Sequence, residues 1–159
     1  MEIGRIARYA QVAAMIVAES IEHVPDSAMW HGFVPRQSED SIAQDLLRPR
    51  FPRGREAVLL LAFDRHQRLL RMEYCEEARG HELTKCRVPA CCWRAIAGTN
   101  VCRVLMAHNH PSGAAWPSKA DRHCTREAAE LLNALGIELA DHLIFVNSGH
   151  FSFRRCGLL

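Results

Sequence analysis

Several patterns that would send the reading elsewhere are missing from these 159 residues. There is no C-x-x-C pair, and no partner pair follows at zinc-finger spacing, so the grouping of Cys86, Cys91 and Cys92 does not read as a structural zinc site. The seven cysteines (Cys75, Cys86, Cys91, Cys92, Cys102, Cys124, Cys156) are odd in number and scattered, with no secretory signal in front of them. A disulfide framework is therefore not expected, and a reducing cytoplasm is the simpler setting. The apolar run from Tyr9 to Ala18 is too short to span a bilayer and is interrupted by Gln11, so no membrane segment is expected. A net charge of +2 lacks the clustered Lys and Arg excess that usually marks a nucleic-acid binder. Internal repeats and low-complexity stretches are absent too. What remains, at 48% hydrophobic residues, is material for one good core.

Along the chain, Ile6, Ala10, Ala13, Val17 and Ile21 recur at three- and four-residue steps and predict an amphipathic helix from Ile3 to Ile21. His23 to Gln37 holds Pro25, Gly32 and Pro35 without a sustained period, which predicts a linker or surface loop tied down by Met29, Trp30 and Phe33. Ser38, Glu39 and Asp40 then offer an N-cap and first-turn acids to a short helix through Leu47, stopped by Pro49. The nearly continuous apolar run from Glu56 to Phe63 predicts a central strand covered on both faces. Leu69 to Tyr74 alternates, with Leu70, Met72 and Tyr74 on the apolar side, and predicts a half-buried hairpin partner. A helix from Pro89 to Ala97, a strand from Val101 to Ala107, a helix from Ser118 to about Leu135 stopped by Gly136, and strands at Ile137 to Val146 and Phe151 to Phe153 complete the order. This order predicts an α+β fold, a mixed sheet flanked by helices in a three-layer arrangement.

The stretch from Ala107 to Asp121, A-H-N-H-P-S-G-A-A-W-P-S-K-A-D, carries the chemistry. His108 and His110 follow a strand-like run one residue apart, so in extended chain both imidazoles point to one side. Pro111, Ser112 and Gly113 turn the chain back, and Ser118 opens a helix whose first turn holds Asp121. Two neutral imidazoles and a carboxylate form three ligands with one position left open, the arrangement of catalytic zinc; structural zinc takes four ligands, usually thiolates. Each residue has a plainer role: paired histidines at a strand end are often surface residues, and Ser118 with Asp121 fits a capping box.

The pattern H-x-H, seven residues beginning with Pro111, then S-x-x-D resembles the JAMM (JAB/MPN) metalloprotease superfamily, and the fuller H-N-H-P-S-G…P-S-x-x-D resembles its bacterial RadC-like branch. Arg55 and Glu56 before an apolar strand, and D-H-L-I from Asp141 to Ile144, agree with it. The resemblance covers roughly residues 41–159, leaving 1–40 as an N-terminal helix and connecting segment. It implies a JAMM/cytidine-deaminase-like fold, one zinc on His108, His110 and Asp121, and hydrolysis of an amide bond in a protein or peptide, without a particular substrate. It also implies that Glu56 shuttles the proton from the attacking water to the leaving amine, with Glu73, Glu76, Glu77 and Glu82 as alternatives, and that Ser118 holds the water or the oxyanion. Asn109 is expected to make a structural hydrogen bond, and Asp141 and His142 to support or pack. The chain departs from the branch where Pro89 is followed by Ala90 and Cys91 instead of Arg-Glu, and where Ala114 and Ala115 follow the P-S-G turn.

Two functions from different classes fit this pattern. One is a zinc-dependent peptidase or isopeptidase. The other is a catalytically weak JAMM-like module that binds a protein partner or DNA in a repair or mobile-element setting. The complete set Glu56, His108, His110, Ser118 and Asp121 favours the first. The tripeptide H-N-H is not the dispersed ββα-metal motif of HNH nucleases, and the turn directly after His110 does not suit one.

Overall fold

A computed structural model describes residues 27–75, 88, 90–98 and 100–159. The helix expected from Ile3 to Ile21 lies outside the described residues, as do Glu76, Glu77, Glu82, Cys86 and Pro89. Six strands form one sheet: β1 (Phe33–Pro35), β2 (Val58–Phe63), β3 (Leu69–Cys75), β4 (Arg103–Asn109), β5 (Glu138–Val146) and β6 (Gly149–Ser152). Their spatial order is β1-β6-β5-β4-β2-β3. Among the described strands only β4 and β5 pair in parallel, and the crossover between them is the long helix α2 (Lys119–Ala134). A shorter helix, α1 (Ala90–Ile96), precedes β4. The expected α+β class, a mixed sheet flanked by helices, is what the chain adopts.

Alternation along β2 explains its unbroken apolar run. Val58, Leu60 and Ala62 pack with Ile96 of α1 and Leu132 of α2, while Leu59 and Leu61 pack on the opposite face against Ala43 and Leu47 of a short helix, Ile42–Leu47. Leu59, Leu60 and Leu61 are fully buried, each contributing about 1.5–3 kcal/mol relative to exposure. The short helix is more loosely wound than expected, its end closed by Arg48 N–H donating to the carbonyl of Ala43. Its start is capped by Asp40, whose Oδ1 accepts from Ala43 N at 2.8 Å. Glu39, expected among its first-turn acids, is instead buried and ion-paired with Arg48.

Two further expectations need correction. Residues read as linker include β1, which pairs antiparallel with β6; Phe33 is buried there, and Trp30 meets Trp116 edge-on at 4.6 Å. Apolar anchors outweighed the turn-forming residues. Leu70 and Tyr74, placed on the buried side of β3, are exposed; Leu70 is the residue skipped where the register shifts, Ala62 facing Arg71 and Phe63 facing Leu69, and Met72 alone of the three packs inward.

The β4–β5 pairing contains a bulge. Val104 faces Leu139 and Leu105 faces Asp141, so Ala140 is one residue extra in β5. Leu139 packs on the α2 face, and beyond the bulge it is His142, opposite Met106, that takes that face. Asp141 secures the bulge: its Oδ1 accepts from the backbone N–H of His142 at 2.7 Å and of Arg154 at 3.0 Å.

Candidate metal centre

The site forms where β4 ends and α2 begins. His110 lies one residue past β4, yet its N–H donates to the Phe145 carbonyl at 2.9 Å, continuing the ladder and keeping its ring on the side of His108. A turn follows, closed by Gly113 N–H to the His110 carbonyl at 3.1 Å and passing through φ +83° at Gly113, a conformation suited to glycine. Ala115, fully buried beside Phe33 and Val146, and Trp116 then hold the loop against the sheet. This packing suits the small side chain that stands at Ala115.

Ser118 caps α2 through a full capping box: its Oγ accepts from Asp121 N at 3.1 Å, and Asp121 Oδ2 accepts from Ser118 N at 2.7 Å. The Ser118 hydroxyl also donates to Oδ2 at 2.6 Å. Because α2 starts under the histidines, the cap delivers the Asp121 carboxylate to them. His108 Nε2 lies 2.8 Å from His110 Nε2 and 3.3 Å from Asp121 Oδ1, and His110 Nε2 lies 3.5 Å from Oδ2. The capping box and the approach of the carboxylate to both imidazoles thus belong to one geometry.

His110 Nδ1 stands 2.7 Å from the Ala114 carbonyl, which can only accept, so Nδ1 carries a proton and, in the neutral ring, Nε2 presents a lone pair. His108 is buried and His110 nearly so, and among the described residues no arginine or lysine pairs with Asp121. Burial holds the His108 imidazole below its ordinary proton affinity, against the pull of Asp121. For His110, burial acts in the same direction but is outweighed by Asp121 and the Ala114 carbonyl, so its affinity rises. Burial would raise Asp121, yet its hydrogen bonds with His108, His110 and Ser118 hold it well below the carboxylate range. Two ring nitrogens and an ionised carboxylate within 4.8 Å of one another form a donor set that could hold a metal ion.

Glu56 lies two residues before the start of β2 and is half-buried, and its charge acts to raise the proton affinity of both histidines. Asn109 fixes that segment, as its place between the histidines led one to expect of a structural residue. Its Oδ1 accepts from Ala57 N at 2.8 Å, and its Nδ2 donates to the carbonyls of Arg55 at 2.9 Å and Pro52 at 3.2 Å. Of the alternative glutamates, Glu73 sits on β3 opposite Leu60. A cleft of about 590 Å³ opens beside His110, between Arg36, Arg53, Phe51 and Phe145.

Beneath His108 lie two residues whose part the sequence left unread or unspecified. His108 Nδ1 is 2.7 Å from His142 Nε2, and His142 Nδ1 is 2.6 Å from Thr125 Oγ1, which donates to the Asp121 carbonyl at 2.6 Å. His142 is fully buried, which keeps it neutral well below the ordinary range. The spacing of Thr125, four residues after Asp121 on the same helical face, was the available signal.

Comparison with known proteins agrees with this geometry. The family described as RadC-like JAB domain matches residues 37–158. A UPF0758 protein of Burkholderia thailandensis is 39% identical over 106 residues, 66% of this chain and 39% of the relative. One from Paraburkholderia xenovorans is 35% identical over 106 residues, 66% of this chain and 41% of the relative. One from Burkholderia cenocepacia is 38% identical over 118 residues, 73% of this chain and 45% of the relative. The chain thus spans less than half the length of these curated relatives. It belongs to the RadC-like JAB domain family.

Proposed function

Starting from that membership, we propose that the chain is a zinc-dependent metallohydrolase that cleaves an amide bond, a peptidase or isopeptidase. His108, His110 and Asp121 are its metal ligands, Glu56 its proton shuttle and Ser118 the donor to the developing oxyanion. The observation that carries this reading is the convergence of two imidazole nitrogens and a carboxylate, with no cationic side chain paired to Asp121 among the described residues. Imidazole and carboxylate suit zinc, and three protein ligands leave a position for water or substrate. Bound there, zinc supplies the Lewis acidity that brings the pKa of water to about 7 and polarises a carbonyl.

Glu56, whose chain neighbours Arg55 and Ala57 are held by Asn109, takes the proton from the attacking water and returns it to the leaving amine. The Ser118 hydroxyl has one proton, given to Asp121 in this structure, and it turns from there to the oxyanion as negative charge develops. A protein or peptide substrate lies in the cleft beside His110. Among the described residues no helix is long and apolar enough to cross a membrane, and the odd, scattered cysteines suit a reducing cytoplasm.

Glu56→Gln tests the reading. Metal content and stability should stay near wild type while turnover of peptide- and isopeptide-linked reporters falls about 10²-fold or more. Loss of metal would make Glu56 a ligand. A wild-type chain that holds zinc yet cleaves neither reporter class would favour the module that binds a protein partner or DNA. Ser118→Ala should retain the metal and slow turnover by about 10²–10³-fold.

A further inference from the structure

We propose that Thr125 and His142 are positioning residues that lock His108 in the tautomer able to ligate a metal, and that the backbone carbonyl of Asp121 sets the direction of the lock. The link to metal rests on the proposed function; the direction of the lock rests on donors and acceptors alone.

The Asp121 carbonyl can only accept, and Thr125 Oγ1 lies 2.6 Å from it. The hydroxyl has a single proton, so at that distance the proton belongs to the carbonyl; placed elsewhere, two oxygen lone pairs would face each other. This back-bond to the residue four earlier is an ordinary habit of a helical threonine. Thr125 Oγ1 must then accept from His142 Nδ1, 2.6 Å away, which gives His142 a proton on Nδ1. A neutral imidazole carries one proton, so His142 Nε2 is bare and accepts from His108 Nδ1 at 2.7 Å. His108 therefore holds its proton on Nδ1, and its Nε2 lone pair faces His110 and Asp121.

Every step is buried: Thr125 is 1% exposed, His142 0% and His108 1%. The ring of His142 has little freedom to flip, being stacked on Phe153 at 4.7 Å and 14°. The bulge at Ala140 is what turns His142 to this face. Asp121 thus serves twice, its carboxylate as ligand and its carbonyl as the origin of the chain that prepares His108.

The test uses the whole chain, ¹⁵N-labelled, with and without one equivalent of zinc chloride. Long-range ¹H–¹⁵N spectra should show the Nδ1-protonated tautomer for both His108 and His142 in both states. Thr125→Val keeps the β-branched shape but removes the hydroxyl. It should mix the His142 tautomers and weaken zinc binding, measured against a chromophoric chelator, by about 10–100-fold, and Thr125→Ser should restore both. A proton on His108 Nε2 in the wild type would overturn the proposal, as would Thr125→Val with unchanged tautomers and zinc affinity. The wild-type spectra decide the direction even if Thr125→Val does not fold. A chain with the expected tautomers that takes up no zinc would uphold the lock and sink the metalloenzyme reading instead.

Discussion

Two buried histidine networks occupy opposite faces of the sheet, and they are completed in different ways. On the face of Phe145, His150 Nδ1 bonds Glu39 Oε1 at 2.8 Å, and the other Glu39 oxygen takes Arg48 Nε at 2.8 Å. Arg48 also donates to the carbonyls of Val146 at 2.7 Å and Gly149 at 2.8 Å, clamping the turn between β5 and β6. One carboxylate meets one guanidinium, and the charge is balanced inside the protein. On the α2 face, one carboxylate meets two imidazoles, His108 Nε2 at 3.3 Å and His110 Nε2 at 3.5 Å. Both networks are buried and both place a histidine beside a carboxylate, so neither property distinguishes a ligand set from a brace. The charge pairing does: the first network sets its carboxylate against a guanidinium, and the second sets its carboxylate against two imidazoles in a donor set that could hold a metal ion.

The sharpest way to break the comparison is to remove one member from each side. His110→Ala should take the metal content from one per chain to near zero, by metal analysis of the purified protein, with the circular dichroism of the folded domain retained. If the fold is lost together with the metal, the ion is structural and the α2-face network is a brace after all. Glu39→Ala should do the reverse: metal content unchanged, but stability lowered by about 3–5 kcal/mol in denaturant unfolding, because Arg48 is left buried without its partner.

Acid should then sharpen the difference. Burial on its own would raise the Glu39 carboxyl, but the hydrogen bonds and charges of Arg48 and His150 outweigh it and hold it below its ordinary 4.5. A carboxylate depressed on folding contributes stability that is present in full above its unfolded value and lost as pH falls through its folded one. The stability gap between wild type and Glu39→Ala should therefore be level above about pH 4.5 and shrink below it. A gap that widens in acid would contradict the ion pair. The smallest effect belongs to an exposed pair, Arg103 with Glu138 at 2.8 Å. Arg103→Ala should shift unfolding by no more than about 1 kcal/mol, which sets the scale for what burial adds to Glu39 and Arg48.

Much of the candidate site was legible because its parts are close in sequence and obey local periods. The period of two in extended chain puts His108 and His110 on one side, and the three-residue reach of a capping box brings Ser118 to Asp121. Gly136, at φ +71°, ends α2 where a helix stop was expected. The segment from Met29 to Pro35 was less legible. Its proline and glycine spoke for a loop, while its place as a strand depended on β6, more than a hundred residues away. Glu39 was misread for the same reason, since its partners Arg48 and His150 come from a helix end and a distant strand.

By itself, then, the sequence determined the class of the fold, the order of the central strands and helices, and the local geometry that turns two imidazoles toward a helix start. Short-range sterics and hydrogen bonding suffice for those. Only the tertiary structure decided which buried carboxylate would be neutralised from within and how His108 would be oriented. The side chains on β5 alternate by local rule, and one extra residue at Ala140 reverses that alternation. Asp141 is thereby sent to brace the backbone, and His142 to the space beneath His108. A register shift of one residue is set by the fit of neighbouring strands, where pairing and packing act across the sheet rather than along the chain.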